Sequence, residues 1–264
     1  MSQFLTIELK IEDGFATLKL NRPERMNSFN SEMHKEMQVA LDQVAGDGSV
    51  RALLLTGNGR GFCAGQDLAD RSVSSGGEAV DLGDTVHTYW NPLIRRITDM
   101  DVPVVCAVNG VAAGAGANLA LACDIVLAAR SAKFIQSFAH IGLIPDSGGT
   151  WFLPKLIGHA RAMAITLTAT PVIATQAEEW GMIWRAIDDD ALSEEATNLV
   201  SSLASGATRG LVATKRRIQQ AWTNSLDVEL DCERDVMREL GFSADYQEGV
   251  AAFIQKRKPN FRGE

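Results

Sequence analysis

The chain predicts an α/β fold in which a largely parallel sheet is wound with helices and a helical region follows at the C-terminal end. Three patterns carry that prediction. Residues 4–11 and 15–20 alternate apolar and polar side chains around Asp13-Gly14, a dipeptide suited to the positive φ angles of a tight hairpin. Short apolar runs at 51–56, 103–108 and 125–129 are separated by helical patterns, and strands separated by helices return in parallel. From about residue 190 onward, apolar residues recur at helical spacing with no strand-like run between them.

The elements follow in order. After Asn21-Arg22-Pro23, the apolar positions Met33, Met37, Ala40, Leu41 and Val44 mark one face of a helix, with Asn30 or Ser31 as its cap. Hairpin and helix make a β-β-α unit. The strand at 103–108 ends on Asn109-Gly110, and the glycine- and alanine-rich segment beyond it opens a helix. The stretch 71–84 is polar, glycine-rich and unpatterned, and reads as a mobile flap. Leu203, Leu211, Ile218, Trp222, Leu230, Val236, Leu240, Val250, Phe253 and Ile254 form the apolar stripes of the last helices. Helices with no sheet to cover need another partner, and a second copy of the chain is the favoured one. The expected division is a core at 1–195 that carries the site and a helical oligomerisation region at 196–264.

Composition narrows the function classes. With 264 residues, 46% hydrophobic and 22% charged, the chain is an ordinary globular protein with room for a large core. No apolar run approaches the roughly 20 residues that span a bilayer. Met1 to Lys10 reads as an alternating strand without a basic lead-in or an apolar signal core, so a cytoplasmic location and no membrane partner are expected. A net charge of −8 disfavours nucleic acid, whose binding depends on basic neutralisation of phosphates. Cys63, Cys106, Cys123 and Cys232 show no C-x-x-C spacing, and neither zinc nor disulfides are expected.

Two segments carry the chemistry. Phe62-Cys63-Ala64-Gly65-Gln66-Asp67 and Ala112-Ala113-Gly114-Ala115-Gly116-Ala117 each follow a strand-like run, and small residues let a ligand carbonyl approach the main chain. The second opens a helix, whose first-turn amides are unpaired and carry partial positive charge. Two such donors suit an oxyanion hole. Tight packing of a helix on a strand is the other reading of each cluster. Neither segment matches a dinucleotide or triphosphate fingerprint, no G-x-S-x-G elbow occurs, and His34, His87, His140 and His159 lack metal spacing. Asp146, in Gly142-Leu143-Ile144-Pro145-Asp146-Ser147-Gly148-Gly149-Thr150, is the remaining acid or base candidate. A turn or cap role competes with that reading. The apolar lead-in 141–145 favours the first, because apolar neighbours would raise the pKa of the carboxyl.

The residues that now stand together resemble the crotonase (enoyl-CoA hydratase/isomerase) superfamily along essentially the whole chain. They are Leu20-Asn21-Arg22-Pro23-Glu24-Arg25-Met26-Asn27-Ser28, Gly61-Phe62-Cys63-Ala64-Gly65-Gln66-Asp67-Leu68, the 107–116 and 121–124 segments, Gly142-Leu143-Ile144-Pro145-Asp146, and Ser243 to Gly249 with Phe253, Lys256 and Arg257. The resemblance implies a spiral of β-β-α units with a C-terminal helical trimerisation region. It implies an acyl-CoA thioester substrate and no cofactor beyond that coenzyme A moiety. It places the oxyanion donors on the backbone N–H groups of Gln66 and Ala115, and coenzyme A contacts on Arg25, Met26, Ser28, Ala64, Asp67, Leu68 and, from a neighbouring subunit, Lys256. Asp67 and Asp124 also read as structural.

The departures sharpen the implied activity. The two glutamates of family hydratases fall on Asn118 and Phe138, so no carboxylate pair is present to add water. Asp146 falls where some family isomerases and dehalogenases carry an aspartate; a dehalogenase would also want a histidine and a tryptophan around the aryl ring, the sequence does not place His87 or Trp90 there, and dehalogenation is a minor alternative. One carboxyl beside an oxyanion hole suits a 1,3-proton shift. The implied protein is therefore an acyl-CoA isomerase acting on an aryl-epoxide or β,γ-enoyl group, as a homotrimer or dimer of trimers, with docking to other enzymes of its pathway left open. A general Δ3,Δ2-enoyl-CoA isomerase or a hydratase is the alternative. A non-catalytic RNA or partner binder would want a surface lysine comb, which the sequence lacks. Val86, Trp90, Leu93, Phe138 and Trp151 are the expected walls of the acyl pocket.

Overall fold

The computed structural model describes residues 4–69 and 81–264, so most of the expected flap at 71–84 lies outside the described residues. The hairpin forms from β1 (Ile7–Glu12) and β2 (Phe15–Leu20). Asp13 and Gly14 both take positive φ, 52° and 80°, which gives the two-residue turn the twist its strands require. Helix α1 (Ser31–Gly46) is capped by Asn30, whose side-chain oxygen accepts the Met33 N–H at 2.9 Å. The predicted stripe Met33, Met37, Ala40, Leu41 and Val44 is buried, and His34 and Glu36 are buried with it.

Three strand pairs then repeat the unit. They are β3 (Leu53–Gly57) with β4 (Gly61–Cys63), β5 (Val104–Val108) with β6 (Val111–Ala113), and β7 (Ile125–Ala129) with β8 (Lys133–Ile135). Between the first two pairs lie α2 (Leu82–Thr85), a π-helical turn at Val86–Trp90 and α3 (Asn91–Thr98). Helix α4 (Ala115–Leu121) separates the second and third. A 3-10 turn at Ser137–Ile141, α5 (Gly149–Thr168), β9 (Val172–Ile173), α6 (Ala174–Glu179) and β10 (Arg185–Ile187) complete the winding. The first strand of each pair joins a six-stranded sheet, ordered β1-β2-β3-β5-β7-β10 and parallel beyond the hairpin. The second joins a smaller sheet, ordered β4-β6-β8-β9. Strand ends from both sheets therefore meet along one line.

Helices α7 (Leu192–Ala204), α8 (Thr208–Ala221), α9 (Leu226–Leu240) and α10 (Ala244–Gln255) follow. Helix α7 lays Leu192, Ala196, Val200 and Ala204 on the large sheet, so the expected division after residue 195 falls inside it. The three helices beyond it leave much of their stripes open: Phe253 is 85% exposed, Ile254 73% and Ile218 61%, while Leu211, Val236 and Leu240 are half-buried. Among the described residues no helix is long and apolar enough to cross a membrane.

Charge ties these helices to the core. Lys215 on α8 reaches the Asp124 carboxylate at 2.8 Å and the carbonyls of Ile97 and Val102, while the Asp124 carboxylate also accepts the Val104 N–H at 2.8 Å. Burial lifts the Asp124 pKa, and Lys215 and the Val104 amide pull it back. Asp124 is thus a strut of the fold, as its sequence context suggested. On α10, Glu248 accepts two hydrogen bonds from Arg257 and one from the Asn260 N–H. Those donors, Arg257 first, hold its carboxyl down at about 2.

Replacing Lys215 by Ala leaves a buried carboxylate unpaired and is expected to cost about 3–5 kcal/mol, read as a drop in the urea midpoint, whereas Lys215→Met with Asp124→Asn recovers most of it. The depressed carboxyl of Glu248 stabilises the docked tail above its unfolded value of 4.5, and that contribution is lost as pH falls toward about 2. The protection factor of the Asn260 amide, taken against its intrinsic exchange rate at each pH, should fall across that window in the wild type and should be low throughout in Glu248→Gln.

Candidate active site

The two glycine- and alanine-rich segments meet because β4 and β6 are parallel neighbours, so the chain leaves both strands at the same end. Gly65 sits at φ 86°, and a Cβ there would lie 3.0 Å from the Ala113 carbonyl oxygen and 3.2 Å from the Ala115 nitrogen. Only a residue without a side chain lets the 64–66 turn rest on the first turn of α4. A Cβ on Gly116 would lie 2.4 Å from the Cys63 carbonyl oxygen. Gly114 takes φ 53° and ψ −128° immediately before α4, and its carbonyl accepts the Ala117 and Asn118 N–H groups.

The same packing leaves two amides unused. Phe29 bridges to the segment by donating to the Gly65 carbonyl and accepting from the Asp67 N–H, each at 2.8 Å. Successive amides of an extended chain alternate in direction, so the Gln66 N–H points away from Phe29. Ala115 is the first residue of α4, where an N–H has no intrahelical acceptor. Among the described residues neither the Gln66 nor the Ala115 N–H donates a hydrogen bond.

The Gln66 side chain is held from behind. Its Oε1 accepts the Trp90 indole N–H at 2.9 Å and lies 3.1 Å from His34 Nε2. An indole nitrogen can only donate, so the amide oxygen faces both rings and His34 Nε2 carries a proton. His34 stacks on Tyr89 at 5.0 Å between centroids, meets Trp90 edge-to-face and lies tilted against Phe29. Trp90 and Leu93, expected at the acyl pocket, are both buried, and Trp90 stands behind Gln66. His87 is exposed. The role of His34 had a faint signal in the sequence, since 34, 37, 41 and 44 lie on the apolar face of α1.

Asp146 is brought to the same helix. Its backbone carbonyl accepts the Asn118 side-chain amide at 2.8 Å and the Gly149 N–H at 2.9 Å, and its Oδ1 accepts the Ser147 hydroxyl at 2.9 Å. Phe138 is buried, with its ring 3.7 Å from where a Gly114 Cβ would stand. The two positions at which the hydratase glutamates were sought therefore both border this region. One expectation needs correcting. Residues 141–145 do not wrap the Asp146 carboxyl in apolar side chains: Ile144 is 78% exposed, and Ile141 and Leu143 are exposed with it. Gly142, at φ 70°, ends the 3-10 turn and throws the lead-in outward.

The coenzyme A candidates divide into two groups. Met26 accepts the Ala64 N–H at 2.9 Å through its carbonyl, which brings Arg25, Met26 and Ser28 alongside Ala64 and the Gln66 turn. Arg25 and Leu68 are exposed and Ser28 is buried. The Asp67 carboxylate is engaged by Arg22 at 3.0 Å and by the Ala69 N–H at 3.1 Å, so it fastens the two segments together. Lys256 lies elsewhere, as the left-handed cap of α10, and among the described residues no polar contact joins its side chain to these segments. Burial pushes the Cys63 thiol up to about 12, so it holds its proton at neutral pH.

Gly65→Ala should lower kcat by about 10²–10³, the effect of losing one donor of an oxyanion hole, while the thermal midpoint moves by only a few degrees. Cys63 should resist iodoacetamide at pH 8 in the folded protein, measured by peptide mass, and react on unfolding.

Relatives of known description place this geometry. Residues 10–264 match the family model described as enoyl-CoA hydratase/isomerase. The chain is 56% identical to the 1,2-epoxyphenylacetyl-CoA isomerase of Escherichia coli K12 over 254 residues, covering 96% of this chain and 97% of that one. It is 32% identical to the trans-2-decenoyl-[acyl-carrier-protein] isomerase of Streptococcus mutans, covering 99% of both. The crystal structure of an enoyl-CoA hydratase from Bacillus anthracis superposes with a TM-score of 0.92 at 29% identity, over 98% of this chain and all of that one. Sequence and overall fold agree, and the chain belongs to the enoyl-CoA hydratase/isomerase family.

Proposed function

We propose that this protein is an acyl-CoA isomerase that converts ring-1,2-epoxyphenylacetyl-CoA to oxepin-CoA, a step of phenylacetate catabolism. The observation that carries the reading is the placement of a single carboxyl residue, Asp146, on a turn fastened to α4, the helix whose first amide stands beside the Gln66 amide. The 56% identical isomerase supports the substrate.

The chemistry follows from the parts. The thioester carbonyl sits between the Gln66 and Ala115 N–H groups. Asp146 takes a proton from the α carbon, and the electron pair of that C–H bond moves onto the thioester oxygen as an enolate. The two amides stabilise that charge where it develops. The oxepin tautomer of the epoxide is a β,γ-unsaturated thioester, so the same carboxyl returns the proton at the γ carbon as the double bond moves into conjugation. Fatty Δ3-enoyl thioesters require the same shift, and the enzyme is expected to turn them over as well. Addition of water needs a second carboxyl, and Asn118 and Phe138 occupy the places where it would stand.

Arg25, Met26, Ser28, Ala64 and Leu68 bind the coenzyme A moiety, and no other cofactor is required. Lys256 reaches that moiety from an adjacent subunit. The open stripes of α8, α9 and α10 close against other copies of the chain in a trimer or a dimer of trimers, in the cytoplasm. The contribution of Asp67 is to hold the binding segments through Arg22.

Asp146→Asn is expected to lower kcat about 10²–10⁴-fold both on 3-hexenoyl-CoA and on enzymatically generated epoxide, followed by ultraviolet conjugation and product mass. Retention of either activity would assign that substrate to another base. Sedimentation at micromolar concentration should give a trimer mass or its double, and a stable monomer would contradict the subunit packing.

A further inference from the structure

Behind Asp146 lies a chain of buried amides that nothing in the reaction so far has used. Asn118 is fully buried and Gln136 is 2% exposed. Asn118 donates from Nδ2 to the Asp146 carbonyl at 2.8 Å, and Gln136 Nε2 donates to Asn118 Oδ1 at 2.9 Å. The orientation of both amides is forced. A backbone carbonyl can only accept, so the Asn118 nitrogen must face Asp146 and its oxygen must face Gln136. Gln136 must then present its nitrogen, which leaves its own Oε1 buried without a partner among the described residues. An unpaired buried acceptor is costly, and burying two primary amides in a protein core is costly unless they are paired. Gln136 accepts that cost to orient one neighbour.

What the neighbour does is defined by its place on α4. Ala115, three residues earlier, bears the oxyanion donor, and the Asn118 N–H itself bonds to the Gly114 carbonyl. Asn118 therefore belongs to the same rigid turn as the amide that receives the thioester oxygen. Its side chain reaches from that turn to the main chain of the residue that moves the proton. Gly149 lies so close that a Cβ there would stand 2.4 Å from Asn118 Nδ2, so the amide fills the space that a side chain at 149 would take. Ser147, buried at φ 51°, completes the turn by bonding to Asp146 Oδ1.

We infer that Asn118, oriented by Gln136, is a positioning residue that sets the distance between the Asp146 carboxyl and the oxyanion hole. The inference rests on the acid–base reading of Asp146 given above. A proton shift between two carbons by one carboxyl needs that carboxyl fixed against the enolate plane, and small displacements at such sites cost large factors in rate. Asn118→Asp keeps the shape and replaces the donor that faces the Asp146 carbonyl with an acceptor. Gln136→Met removes the amide that orients Asn118.

The test measures kcat, KM and the pH profile of kcat on 3-hexenoyl-CoA for both variants, alone and combined with Asp146→Asn, with thermal melting as the control for folding. Each single variant is expected to lose about 10–100-fold in kcat with KM within about twofold, and to shift the limb of the kcat profile that Asp146 governs. In the Asp146→Asn background the same substitutions should cost less than about twofold, because residues that act as one unit are not additive. If Asn118→Asp does not fold, Gln136→Met carries the same expectations. Folded variants with wild-type kcat, a loss confined to KM, or a full additional loss in the Asp146→Asn background would each overturn the inference. Wild-type turnover by Asp146→Asn alone would instead overturn the acid–base reading beneath it.

Discussion

The site depends on one close approach, that of the Gly65 turn to the N-terminus of α4. Two main-chain segments lie at a separation where a Cβ at Gly65 would crowd both the carbonyl of Ala113 and the nitrogen of Ala115. That contact brings two unused amides side by side, and it requires the parallel pairing of β4 with β6 to deliver both segments at one edge. The polar fastenings around it, Phe29 to the Gly65 carbonyl and Arg22 to Asp67, prevent the turn from relaxing back toward solvent. Preorganised donors are effective in catalysis because no energy is spent in orienting them as charge develops.

Helix α4 serves as the common support. It has only seven residues, all buried, and its sequence Ala115 to Leu121 offers a single polar side chain, Asn118. Small residues on its N-terminal turn admit the Gly65 and Cys63 backbones, while Leu119 and Leu121 secure it in the core. A carboxylate at 118 would repel the Asp146 carbonyl; an amide can bond to it. Asn118 thus joins the turn that carries Asp146 to the first turn of α4.

The C-terminal helices show a different balance. Their attachment to the core relies on few, largely buried polar contacts, chief among them Lys215 to Asp124, rather than on apolar area. Large side chains such as Phe242 and Phe253, 81% and 85% exposed, are left on the outer surface. Exposed apolar area on this scale is unusual for a surface that faces only water.

Much of this was legible in the chain itself. Local patterns determined the hairpin at Asp13-Gly14, the capped helix after Asn30 and the parallel strands, because alternation, helical spacing and turn chemistry act over a few residues. The two glycine- and alanine-rich turns stood out for the same reason, since a position that tolerates no side chain announces itself in composition. Tertiary structure alone decided which groups stand behind them. Trp90 and His34 are 24 and 32 residues from Gln66 in sequence, and Gln136 and Asn118 meet only when β8 returns beside β6. The apolar look of 141–145 misled because a left-handed glycine, a property of the backbone path, turned those side chains outward. Sequence determines what each residue can do locally, and the winding of the two sheets decides which distant hydrogen-bonding groups are brought together to do it.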